Sequence, residues 1–267
     1  MEQSITLVIF TFLSQLAIGA FATIFLFEAY QQKISKRATF ISLISILSIS
    51  VVAIIVSMFH LGHPFEAYKA ILNFGNSWLS REIVFYPLFM LLVFYYGFVA
   101  KKDATKKATG WAAVVMGMIT IYSTAMIYTI PAIPAWNNGM TMAAFFVTAL
   151  LLGPVFVQLL ILVIDRKFIN LSLYIIVVAI VAILMNVMNL TILFGGFVEA
   201  VETASILISN PFFWVKLMAL TVGVVIAGYS FLSKKGYSLP YVLVLLSCFV
   251  VAEFIGRILF YSSAIHL

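Results

Sequence analysis

Charge is what this sequence lacks most. Lys, Arg, Asp and Glu together make up 9% of its 267 residues, against about 25% in an ordinary soluble domain. Polar groups this scarce cannot cover a water-exposed surface, so a soluble globular enzyme and a disordered chain are both excluded. Cysteine is nearly absent as well. The single Cys248 excludes a disulfide framework and any cysteine-ligated zinc or iron–sulfur site within the chain. Histidine is confined to His60, His63 and His266. None falls inside an apolar run, so bis-histidine haem between helices is not expected. What is abundant is hydrocarbon: 64% of residues are hydrophobic, and the mean hydropathy is +1.18.

Eight stretches are long and apolar enough to cross a bilayer as helices, at roughly 4–30, 38–59, 82–100, 108–130, 142–164, 170–194, 212–232 and 238–264. The runs are continuous rather than alternating, which argues against strands. The expectation is an all-α polytopic membrane protein: one eight-helix domain over 1–267, with short loops and no soluble domain. The first span has no basic leader and is too long for a signal-peptide core, so it is expected to be retained.

Basic residues set the expected orientation. Lys33, Lys36 and Arg37 lie in the first connection, Lys101, Lys102, Lys106 and Lys107 in the third, Arg166 and Lys167 in the fifth, Lys234 and Lys235 in the seventh. The even connections hold Lys69 and Arg81, while Lys216 and Arg257 fall within spans. The net charge of +6 therefore reads as a positive-inside signal rather than a nucleic-acid surface. It puts the odd connections in the cytoplasm and both termini outside. The three histidines and Glu2, Glu66, Glu82, Glu199, Glu202 and Glu253 then gather toward the outer face.

Several residues there are candidates for chemistry. His60 and His63 lie in Ser57-Met58-Phe59-His60-Leu61-Gly62-His63-Pro64, where span two leaves the membrane. An imidazole there can take and pass protons, can share a metal with its neighbour, or can simply sit at the interface. Ser80 reads as a helix N-cap that places Glu82 in a first turn. Glu82 then either complements the helix dipole or acts as an acid facing the bundle interior. Glu253 and Arg257 are four apart and can join on one helix face as structural glue. Gln15 is a lone amide at membrane depth, binding a ligand or packing. Trp136, in a rigid loop bounded by Pro131 and Pro134, is an interfacial anchor or the lid of a pocket. Pro87 and Pro154 read as kinks.

Taken in order, these stretches resemble the membrane anchor subunit of bacterial dimethyl sulfoxide reductase and its relatives. The resemblance rests on Gln15 and Gly19, the Ser57–Pro64 motif, Leu79-Ser80 with Glu82-Ile83, Ile133-Pro134-Ala135-Trp136 and Gly153-Pro154. It closes on Glu253-Phe254-Ile255-Gly256-Arg257 with Phe260-Tyr261. It implies an anchor without haem or metal of its own, multi-pass in the bacterial cytoplasmic membrane. Such an anchor oxidises menaquinol and passes electrons to an iron–sulfur subunit serving a molybdopterin catalytic subunit in anaerobic respiration. It carries the menaquinol roles onto His60 and Glu82, with Gln15, His63, Arg81, Trp136 and Arg257 expected to shape the quinol pocket. His63 would add a second base or none, and Arg81 would pair with Glu82. The rival readings are a secondary transporter and a purely structural anchor.

Overall fold

In the computed structural model, residues 2–31, 34–59, 68–100, 102–167, 169–233 and 238–262 are described. Among these residues ten α-helices follow in order: α1 Glu2–Leu26, α2 Lys36–Met58, α3 Tyr68–Ile71, α4 Trp78–Phe94, α5 Asp103–Tyr128, α6 Gly139–Asp165, α7 Ser172–Phe194, α8 Val198–Ser209, α9 Pro211–Ser233 and α10 Leu239–Ser262. All but α3 and α8 belong to the eight helical spans long and apolar enough to cross a membrane. These agree with the expected spans to within a few residues. The largest shifts are at α4 and α5, whose polar first turns carry the helix beyond the purely apolar run. Short π-helical turns, Phe27–Gln31 and Tyr95–Val99, end the first and third spans.

The helices sort by how much they bury. In the most apolar windows of α1 and α6, 61% of residues are buried, against 17% in α7 and 22% in α9. The first two form the middle of the bundle, and the others turn Leu184, Val187, Val222 and Val225 outward, as lipid-facing helices do. One apolar cluster joins α1, α2, α4, α5 and α6, and a second joins α1, α6, α7, α9 and α10. The seam between the halves is the α1–α6 crossing. A Cβ added to Gly19 would lie 2.0 Å from the Ala149 carbonyl oxygen, and one on Gly153 would lie 2.2 Å from the Gly19 backbone. Only glycine permits so close an approach. This is how helices pack in lipid, where no hydrophobic force drives them together and close van der Waals contact must.

Several hydroxyl groups inside the bundle are satisfied locally. Thr11, Thr23, Thr109 and Thr120 each bond a carbonyl one turn back, the usual resort where water is absent. Pro87 and Pro154 sit inside continuous helices. At the end away from the termini, Lys106 pairs with Glu28, which also accepts from Tyr96 Oη at 2.9 Å. This ties the ends of the first and third spans to the start of α5. At the other end α1 begins and α10 finishes, with Phe12 edge-on to Phe254 at 5.7 Å. The buried ionisable residues Glu82, Glu253 and Arg257 lie toward that end.

Candidate functional site

α4 starts earlier than its apolar run. Ser77, not Ser80, is the N-cap: its extended backbone lets the hydroxyl accept from Ser80 N at 3.3 Å. Ser80 is itself buried. The cap moves Glu82 out of the first turn and into the second, on the face turned toward α5, where only 5% of the residue is exposed. The dipole-complement reading of Glu82 therefore fails, and the interior-facing reading holds. Arg81, one residue earlier, points the other way. Its Nε donates to the Phe74 carbonyl at 3.1 Å and Nη2 to the Gly75 carbonyl at 2.7 Å, and the guanidinium lies 4.1 Å from the Trp78 ring centre. The expected Arg81–Glu82 pair is not formed, because neighbours in a helix are about 100° apart.

Glu82 instead meets Thr124 on α5, whose hydroxyl bonds Glu82 Oε1 and also lies 3.0 Å from the Thr120 carbonyl. One hydroxyl proton cannot fully serve two acceptors. As a carboxylate, Glu82 takes that proton. As an acid, it can donate to Thr124, which then turns to Thr120. The contact accommodates either state. One turn past Glu82, Tyr86 is buried, with Ser50 of α2 facing its hydroxyl.

One turn past Thr124, Tyr128 opens an aromatic wall. Its ring lies 5.2 Å from Tyr261 and 5.6 Å from Trp136. Trp136 stacks on Phe260 at 4.9 Å and donates from Nε1 to the Phe260 carbonyl at 2.9 Å. Trp136 is thus built into the bundle wall. Arg257, one turn before Tyr261, lies with its guanidinium carbon 3.6 Å from the Phe145 ring centre.

Arg257 Nη2 donates to Gln15 Oε1 at 2.6 Å and to Thr148 Oγ1 at 3.0 Å, and Thr148 donates to Glu253 Oε2 at 2.6 Å. Among the described residues Glu253 and Arg257 form no direct ion pair. The direct pair expected from the four-residue spacing is replaced by a relay, with Thr148 as its middle link and Gln15 at its far end. Arginine only donates, so the Gln15 oxygen must face it. This leaves Gln15 Nε2 buried with no acceptor among the described residues.

The structure thus joins Gln15 to Arg257, sets Trp136 in the same wall, holds Glu82 on the neighbouring α4–α5 pair, and leaves Arg81 on the loop side. His60, His63, Glu66 and His266 lie outside the described residues. Thr124, Thr148, Tyr86 and Tyr128 escaped the sequence reading, because nothing in a run of apolar residues marks one hydroxyl as a cross-helix partner. Spacing offers a partial signal, since Thr124 and Tyr128 share one helix face.

Eight spanning helices around a polar network near one end define a polytopic helical membrane protein. The model of the DMSO reductase anchor subunit (DmsC) family matches residues 1–263, and the protein belongs to that family. It is 30% identical over 268 residues to an anaerobic dimethyl sulfoxide reductase chain of Haemophilus influenzae, covering 96% of this sequence and 93% of that protein. It is 33% identical over 159 residues to the anaerobic dimethyl sulfoxide reductase chain YnfH of Escherichia coli, over 56% of this sequence and 54% of the other. A shorter stretch of 41 residues is 51% identical to a sulfite dehydrogenase subunit of Allochromatium vinosum, 15% of this sequence and 13% of that one. The expected family and the eight-helix all-α architecture both stand.

Proposed function

We propose that this protein is the quinol-oxidising anchor of a molybdopterin oxidoreductase complex in the bacterial cytoplasmic membrane, serving anaerobic respiration. It oxidises menaquinol and passes the electrons to an iron–sulfur subunit, which supplies the molybdopterin subunit. The observation that carries this reading is Glu82, a buried carboxyl at membrane depth held by one hydroxyl contact able to serve both of its protonation states. An ionisable group in a membrane span is costly and is retained for function by default. The proposed orientation follows the basic loops, with both termini and the site on the outer side.

Oxidation of the quinol releases two protons and two electrons and leaves the quinone. Glu82 accepts or relays a proton from a quinol hydroxyl, and Thr124 turns between Glu82 and the Thr120 carbonyl as the charge changes. His60, by resemblance, hydrogen-bonds or deprotonates the quinol. Gln15 Nε2 is a donor in need of an acceptor, and a quinone oxygen supplies one. Arg257 acts through Gln15 as a positioning residue. The aromatic wall of Tyr128, Trp136 and Phe260 offers flat apolar surface for a ring. The iron–sulfur partner receives the electrons, since the single thiol of this sequence gives it no cluster of its own.

The test is turnover of a menaquinol analogue by the purified complex. Glu82→Gln keeps the shape and removes the proton acceptor. It should lower kcat/KM by about 10² or more, in the range of a lost general base, with the complex still assembled. Full-rate oxidation by a complex carrying both Glu82→Gln and His60→Ala sinks the assignment.

A further inference from the structure

A cavity of about 110 Å³ lies between α6, α7, α8, α9 and α10, beside the polar network and on the side away from Glu82. By the same measure one water needs about 10–15 Å³, so the space holds several waters or a tetrahedral oxyanion. Its wall carries three ionisable groups, Lys216, Glu253 and Arg257. Glu253 is already engaged by Thr148, which ties it to Arg257. Lys216 Nζ donates to Asn186 Oδ1 at 2.7 Å, a neutral amide that answers one of three N–H groups and none of the charge. The acids of α8, Glu199 and Glu202, do not line the space. The described wall therefore holds two cations and one carboxylate.

The backbone makes room for the ammonium. A Cβ on Gly256 would stand 3.0 Å from Lys216 Nζ. The lining also offers an apolar wall, with Met140, Met185 and Phe213. The α7–α8 turn exposes Phe197 and Val198, and the start of α9 exposes Phe212 and Trp214; a tryptophan of this kind settles at a membrane–water interface. Lys216 is half-buried and shares Glu253 with Arg257, so the wall carries one more cation than carboxylate, and charge held away from water without a full counter-charge is costly.

We propose that this cavity binds a phosphate oxyanion, held by Lys216 and Arg257 and supplied either by an anionic phospholipid headgroup or as the free ion. The ligand brings the missing negative charge, accepts the remaining Lys216 donors, and in the lipid case lays its chains along the apolar wall. Lys216 takes no part in the proposed quinol chemistry, so its variants test this site apart from Glu82, although Arg257 is shared with the quinol reading.

The experiment is thermal unfolding of the delipidated full-length protein in neutral detergent, with native mass spectrometry in parallel. Dioctanoyl phosphatidylglycerol, dioctanoyl phosphatidylcholine and inorganic phosphate are titrated separately. Wild type should show a saturable rise in Tm with phosphatidylglycerol and a retained adduct, and little response to the zwitterionic lipid. Lys216→Met should weaken that binding at least tenfold, and Lys216→Arg should keep it. A response to phosphatidylglycerol alone assigns the site to a lipid head, and an equal response to inorganic phosphate assigns it to the free ion. Should Lys216→Met fail to fold, Gly256→Ala gives the second reading, since it crowds Lys216 Nζ without changing charge and should also weaken binding. No saturable response in wild type, or the same response in Lys216→Met and Gly256→Ala as in wild type, overturns the proposal.

Discussion

Glu82 and Arg257 lie toward the same end of the bundle and are buried to 5% and 3% exposure, yet their surroundings differ. Arg257 is interlocked. It reaches Gln15 on α1, Thr148 on α6 and, through Thr148, Glu253 on its own helix, and it rests on Phe145. Among the described residues Glu82 has one side-chain hydrogen-bond partner, Thr124, which it shares with a backbone carbonyl. Burying a charge demands partners, and a charge bound on several sides is held in one state and one place. A carboxyl with a single switchable contact can gain or lose a proton without dismantling its surroundings. The contrast separates a residue that holds helices together from one free to react.

Substitutions can break this contrast in a graded way. Glu82→Gln should show the largest functional loss, about 10²-fold or more in menaquinol turnover, with Tm nearly unchanged. A collapse of Tm with turnover preserved per folded complex would reverse the two roles. Arg257→Met should do most harm to the fold, at about 3 kcal/mol or more, because Gln15 and Thr148 each lose a hydrogen bond from a charged donor, worth about 1.5–3 kcal/mol apiece. Denaturant unfolding in detergent measures it. In a double-mutant cycle with Thr148→Val the two losses should be far from additive, and simple additivity would contradict the interlocked network. Thr124→Val should slow turnover about tenfold, the worth of roughly 1.4 kcal/mol in one hydrogen bond to a charged group, and Thr124→Ser should restore it. A valine variant with wild-type kinetics would remove Thr124 from the proton path. The smallest effect belongs to Arg81→Ala, which loses two exposed bonds to the Phe74 and Gly75 carbonyls. It should cost under about 1.5 kcal/mol and show itself as faster proteolysis at residues 73–77. A large loss of stability there would mean that Arg81 reaches farther than its loop.

Much of the fold was legible in the sequence. Hydrocarbon thickness imposes a minimum apolar length, and eight runs meet it. The polar candidates were legible one at a time: Glu82, Gln15, Glu253 and Arg257 stand out as groups that lipid cannot solvate. Their pairing was not legible. Glu253 and Arg257 have the spacing of a direct pair, but the structure inserts Thr148 from another helix. Arg81 and Glu82 are adjacent in sequence but about 100° apart around the helix, one reaching the loop and the other α5. Ser80 has the composition of a cap, while the cap three residues earlier buries it.

The sequence alone determined the class of environment, the number of crossings and the list of costly groups, because each follows from transfer of residues out of water and needs no knowledge of neighbours. Tertiary structure decided which groups meet. That depends on how each helix is rotated about its axis and where it crosses the next. Here the rotation is set by contacts between residues far apart in sequence, above all the backbone-to-backbone crossing at Gly19 and Gly153. It brings α1 against α6 closely enough for Gln15 and Thr148 to share one guanidinium.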